Sequence, residues 1–190
     1  LPDSIVGHET VRIYANIPQG KNLYVIFGRS SDPLRCPRAF QVGSPIGSDF
    51  GGVNSTFIEL DPAANYDSWL TVGIEDGNVG GELSSIGIDW DSWTDGSDLE
   101  VNDGAVFFMN PAHGPGPGPD GQEPVQVLIA QLTLPIDRDA SIFQFSLQGN
   151  DYNQVENTTW EQRIPYEIPA GNSGFRGTIQ AEPPAQPQLA

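Results

Sequence analysis

Cysteine, histidine, lysine and methionine are almost missing from this 190-residue chain, which holds one Cys, two His, one Lys and one Met. A single cysteine excludes an internal disulfide framework. Cys36 is then a small buried apolar residue, a bridge to another chain, or a reactive thiol. The two histidines, His8 near the start and His113 inside "NPAHGPGPG", provide no metal-ligand spacing and no Cys/His pair with an orienting third partner. No Gly-x-Ser-x-Gly elbow occurs. Two facing carboxylates can hydrolyse a glycosidic bond, but with 25 acids in the chain the sequence singles out no pair. A non-enzymatic protein is therefore expected. No apolar run reaches transmembrane length, which argues against membrane insertion.

Positive charge is also scarce. Eight Lys and Arg face 25 Asp and Glu, a formal net charge of −17 that disfavours nucleic acid and anionic membrane surfaces as partners. The distribution is lopsided. Residues 1–38 carry five bases (Arg12, Lys21, Arg29, Arg35 and Arg38) and three acids, whereas residues 39–137 carry sixteen acids and no Lys or Arg. Such a segment repels itself unless a cation, the basic N-terminal segment or a neighbouring molecule sits against it.

What the chain does have is punctuation. Twenty-two Gly and seventeen Pro imply many short elements joined by turns, and no window sets apolar residues at i, i+3, i+4 and i+7 between caps. "VRIYANI" (11–17) alternates as a half-buried strand does, and "LYVIFG" (23–28) reads as a central strand. A Pro/Gly-broken excursion over 29–52 follows, with one short strand at Phe40–Val42. "STFIEL" (55–60), "SWLTVGI" (68–74), "SSIGIDW" (84–90) and "GAVFFM" (104–109) read as further strands. The loop "NPAHGPGPGPDGQEP" cannot form a ladder, because its prolines lack the N–H. "VQVLIAQLTL" (125–134) and "SIFQFSLQ" (141–148) are the longest strands, and a last pair lies near "IPYEI" and "GFRGTIQ". Nine to eleven short strands of this kind predict an all-β protein, a two-sheet antiparallel sandwich of Ig-like or jelly-roll type, with a closed barrel as the competitor. Residues 1–180 form one domain with a basic N-terminal strand segment, and 181–190 a Pro-rich tail or linker.

"YDSWLTVGI", "SSIGIDWDSW", "VNDGAVFFM", "VLIAQLT" and "FSLQG", over residues 66–149, resemble a pattern of secreted, β-rich proteins of aquatic microorganisms. That family has no assigned activity, so the resemblance implies secretion and β architecture and carries over no catalytic residue. A chain starting at Leu1 rather than Met is read in the same sense, as a mature protein whose targeting segment has been removed. The expected location is extracellular, or else an organelle lumen. Asn54 and Asn157 head two sequons and are candidate glycan acceptors in a secretory protein.

Two candidate sites remain. Asp89, Asp91, Asp95 and Asp98 lie at a strand end and the turn after it, where carboxylates and carbonyls can surround Ca²⁺. The stretch matches no EF-hand, since Trp93 and Asn102 occupy ligand positions, and a solvated acidic loop is the other reading. "GIEDGN" (73–78) and "LDPAANYD" (60–67) are lesser candidates. Trp90 and Trp93 flank the acidic turn and are candidates for stacking on a glycan. The alternative puts Trp69 in the core with Trp90 and Trp93 covering its edge. Taken together, the expected role is a secreted structural or adhesive subunit. It would associate with itself or with another cell-surface protein, through its basic N-terminal segment and acidic body. The strand 11–17 either completes a neighbour's sheet or stays in its own. A carbohydrate-binding module is the alternative.

Overall fold

Alternation along "HETVRIYANI" gives strand β1, His8–Ile17, with Val11, Ile13, Ala15 and Ile17 buried on one face. The computed structural model describes residues 5–153, 158–171 and 178–180. In chain order the other elements are β2 (Val25–Cys36), α1 (Ser55–Leu60), β3 (Trp69–Leu70), β4 (Leu83–Ile86), α2 (Trp90–Thr94), β5 (Leu99–Phe108), β6 (Val125–Pro135), β7 (Ser141–Asp151), β8 (Thr158–Ile168) and β9 (Thr178–Gln180). The strands form two sheets, ordered β3-β6-β1-β9 and β4-β5-β2-β7-β8. Every pairing is antiparallel except β9 against β1. The architecture is a two-sheet sandwich, and its open edges exclude the closed barrel. Among the described residues no helix is long and apolar enough to cross a membrane.

The core lies between the sheets. Ile13 and Ile17 of β1, Ile129 and Leu132 of β6, Ile26 of β2, and Phe143, Phe145 and Leu147 of β7 are all buried there. β6 is buried without a break from Val127 to Leu134, Gln131 and Thr133 included, because both of its faces are covered. Its second face belongs to a smaller cluster of Val53, Ala64, Trp69 and Leu128, packed by Tyr14, Ile46 and Ile58. The segment carrying Ile46, Val53, Ile58 and Ala64 thus roofs the outer face of the β3-β6-β1 sheet.

Several expected strands are shorter, longer or of another kind. "STFIEL" is a helix: Asn54 caps its start by accepting from the Thr56 N–H at 2.9 Å, and Pro62 follows its end. β2 does not stop at Gly28 but continues to Cys36, with residues 30–33 bulging between the Arg29–Asp103 and Leu34–Val101 pairs. Phe40–Val42 forms no strand. The Phe40 N–H reaches the Thr133 carbonyl at 2.7 Å, while the Val42 N–H is taken by the Asp67 carboxylate. Only Trp69–Leu70 of "SWLTVGI" is strand, and the strand at "SSIGIDW" ends at Ile86 before a helix begins. The N-terminal strand stays in its own domain, between β6 and β9.

Candidate functional site

After β4 the chain reverses at Gly87, where φ is +68° and a Cβ would sit 2.1 Å from the Asp103 carbonyl oxygen. The acidic stretch then folds into the single turn of α2. Asp89 caps it, accepting from the Ser92 N–H at 3.3 Å. Asp91 lies in the first turn, and Asp95 closes the helix with its N–H on the Asp91 carbonyl at 2.9 Å. Asp98 accepts from the Arg38 N–H at 2.8 Å, and Glu100 pairs with Arg35 at 3.1 Å, an interaction that lowers its pKa. All four aspartates are exposed. The helical turn spreads them over separate tasks in place of a common centre. Among the described residues no three His, Cys, Asp or Glu side chains converge on a site for a metal ion. The lesser candidates are dispersed too. Asp61 caps a 3-10 turn, Glu75 pairs with Arg12 at 2.8 Å, and Asp76 accepts from the Val79 N–H at 3.3 Å.

The helix that separates the acids also sorts the tryptophans. Trp93 is fully buried at 0% exposure, with its indole N–H on the Pro37 carbonyl at 3.1 Å. A buried ring offers no face to a sugar, so the Trp90/Trp93 platform is not formed. Trp90, three positions earlier on the same turn, is half-buried; it stacks on Phe50 at 6.0 Å and donates to Ser85 Oγ at 3.1 Å. Trp69 sits in the smaller cluster, and Trp160 is buried with its N–H on the Asn22 carbonyl at 2.9 Å. α2 is thus an aromatic plug with an acidic rim, closing the sandwich between β4 and β5.

Two acids are more unusual: Asp67, at the end of the lesser candidate "LDPAANYD", and Asp49, which sequence reasoning passed over. Asp67, at 0% exposure, accepts from the Val42 and Ser48 N–H groups, both at 2.7 Å, and so fastens the 42–48 loop to the roofed sheet. Burial pushes its pKa up to about 6, against the pull of those hydrogen bonds. Asp49, nearby, is also raised by burial; Thr94 Oγ1 donates to it at 3.3 Å, and Asp91 adds like charge. Neither has a basic partner among the described residues.

The other chemical groups are held apart. His8 contacts the Val6 carbonyl at 3.0 Å at the start of β1, whereas His113 ends the 3-10 turn Pro111–His113, whose Pro111 carbonyl is bonded by Asn22 and Asn150 beside the end of β7. Cys36 is buried, and burial raises its thiol pKa well above the ordinary value, which keeps it protonated and unreactive. It lies behind an open cleft of about 700 Å³ where β2 and β6 end. That cleft mixes Arg35, Arg38 and Arg138 with Asp98, Asp137 and Asp139. Asn54 is engaged as a helix cap; Asn157 and the 181–190 tail lie outside the described residues.

The bases are largely engaged within the chain. Arg12 holds Glu75, Lys21 holds Asp151 in a buried pair, Arg29 holds Asp32 and Glu161, and Arg35 holds Glu100. Arg138 pairs with Glu9 and Arg163 with Asp32. Of the sixteen acids between residues 39 and 137, only Glu75 and Glu100 are in an ion pair among the described residues. Compared with family models, curated proteins and solved structures, the chain matches none. Its function is therefore read from its own geometry.

Proposed function

We propose that this protein is a secreted, non-enzymatic structural or adhesive subunit that works in assembled form outside the cell. One observation supports it above the others: fourteen acids of the central segment have no ion-pair partner among the described residues, while four of the five bases in the N-terminal segment, all but Arg38, are already paired with their own chain. A domain with so large an uncompensated charge stays hydrated and resists indiscriminate association. It fits a role in which contact is made through a limited part of the surface, as an extracellular subunit requires.

The dispersal of the histidines, the protonated thiol and the separated carboxylates favours this role over catalysis. Calcium stabilisation has no support from the spread of Asp89, Asp91, Asp95 and Asp98, and the glycan reading loses its platform with the burial of Trp93. The test is direct. Light scattering after size exclusion, with negative-stain images of material isolated from its source, should show oligomers or polymers. A homogeneous monomer at high concentration would overturn the proposal.

A further inference from the structure

The two sheets treat their outer faces differently. The β3-β6-β1 sheet is roofed by the chain's own 42–67 segment, whereas on the other sheet the β2 bulge covers only β7, where Gln144 donates to the Pro33 carbonyl and Ser146 is buried, and leaves Ile86 of β4 exposed. Strand register lines up the side chains there. Ile86, Ala105, Phe27, Ser146 and Arg163 form one row across all five strands. The next row places Phe107 between Ser84 and Val25. None of these apolar residues belongs to either core cluster; Ile86 is 66% exposed, Phe27, Ala105 and Phe107 are half-buried, and Val25 is buried. Arg29 lies over the Phe27 ring at 5.7 Å, at the border of the strip.

We infer that this face is where a second copy of the chain docks, so that two β4-β5-β2-β7-β8 sheets pack face to face. The inference rests on the assembly reading above and names its contact surface. Three features single out a copy as the occupant. The face carries three of the seven bases among the described residues, Arg29, Arg35 and Arg163, each already paired with Asp32, Glu100 or Glu161. With only Asp103 and Glu167 left over as acids, the face carries a small part of the chain's −17 and meets its own image with little repulsion. With β7 already covered by the bulge, β4, β5, β8 and the unbulged part of β2 present about 500 Å² at about 4.8 Å spacing and about 3.3 Å per residue, so two copies together reach the lower bound of about 1,000 Å² for a specific interface. In a two-fold contact every apolar residue is used twice, so a short strip serves both subunits.

Edge-to-edge pairing is the other route open to a sandwich, and β8 is built against it. Gln148 and Asn150 of β7 direct their carbonyls towards the β2 side, to Tyr24 and Asn22, so their odd-numbered neighbours bond to β8. By register, the β8 residues with outward backbone groups are then Thr159, Glu161, Arg163, Pro165 and Glu167. Pro165 puts its missing N–H on the open edge, among charges, which deters another strand from adding there.

The experiment is sedimentation equilibrium of the full chain and three variants, with circular dichroism to check the fold. The wild type should dimerise at about 10 µM, a strength ordinary for an interface of this size. Phe27→Glu and Ile86→Lys should each weaken dimerisation at least about tenfold. Leu60→Lys, at an apolar residue 71% exposed on α1, should leave it unchanged. Should Phe27→Glu misfold, Ile86→Lys at a solvent-facing position decides alone. A wild type that assembles while both face variants assemble equally well overturns the docking face and leaves the assembly reading standing. A wild type that stays monomeric at about 100 µM overturns both.

Discussion

Asp67 makes stability depend on pH in a direction opposite to the usual acid loss. Its folded pKa of about 6 lies above the ordinary 3.8, so between these values the folded chain binds a proton that the unfolded chain does not. Unfolding stability then falls as pH rises through this window, and the full cost is present above pH 6. A shift of this size corresponds to about 3 kcal/mol at its limit. Between pH 7 and pH 5 the gain is smaller, about 1.4 kcal/mol, because the unfolded group stays ionised while the folded one becomes mostly protonated. For a chain of this length that moves the melting temperature by about 3–5 °C. General relief of repulsion on acidification also stabilises, so wild type must be compared with Asp67→Asn at each pH. The variant keeps the shape, cannot titrate, and turns an amide towards either the Val42 or the Ser48 N–H. The melting-temperature difference between wild type and variant should widen by about 3–5 °C from pH 7 to pH 5. A difference that is flat over this range would refute the assignment of a buried, reluctantly ionised carboxyl at Asp67.

Trp93→Ala should cost about 3–5 kcal/mol in urea unfolding, since it empties a wholly buried indole site, and Trp90→Ala clearly less; equal losses would contradict the plug. Lys21→Ala leaves Asp151 buried without its partner, and a loss of about 3–5 kcal/mol is expected in the same measurement. Burial pushes the Asp151 pKa up and Lys21 with Asn153 pulls it down further, so its contribution is present at neutral pH and lost as pH falls below the ordinary carboxylate range. Excess chelator should leave the melting temperature unmoved. A cation bound at a hundred times its Kd would add about 2.7 kcal/mol, so its removal would appear as a fall of about 5–10 °C.

β1, β6 and β7 could be read from the chain because each is patterned: alternation in β1 and β7, and the apolar stretch Val127–Ala130 with Leu132 and Leu134 in the doubly covered β6. "STFIEL" misled because Thr, Phe and Ile suit a strand. Its real determinants flank it, in the cap at Asn54 and the stop at Asp61-Pro62. The extension of β2 was hidden by Pro33, which normally argues against a strand interior and is here carried by the bulge over 30–33. The site was less legible than the fold. Periodicity cannot tell which of two tryptophans three apart on one short turn points inward, and Trp93 rather than Trp90 does. Nor does any local signal separate Asp67 from the other acids, because its burial comes from Val42 and Ser48, some twenty positions earlier. The half-buried, outward-facing Phe27 and Phe107 were invisible for the converse reason. Inside apolar runs they resemble core residues, and only the register of β2 and β5 puts them outside.

Charge patterning suggested attraction between a basic leading segment and an acidic body, and the ion pairs change where that attraction acts. Arg29 and Arg163 tie the β2 bulge to β8, and Arg35 ties β2 to β5, so these bases stabilise one sheet. Apart from Asp67 and Asp49, the remaining acids of the central segment lie at the surface and, between two molecules, repel. The two modes of assembly therefore respond to salt with opposite signs. Contact between a free basic segment and an acidic body weakens as salt screens it. Docking of the neutralised sheet face is driven by apolar burial against the repulsion of two −17 bodies, and salt removes the opposing effect. With a Debye length of about 30 Å at 0.01 M and about 8 Å at 0.15 M, most of that repulsion lies within reach of ordinary buffers. Sedimentation equilibrium across that range should show the dimer strengthening with added NaCl. Weakening would mean that opposite charges on different molecules hold it together, and that some base assigned to an internal pair is released when copies meet.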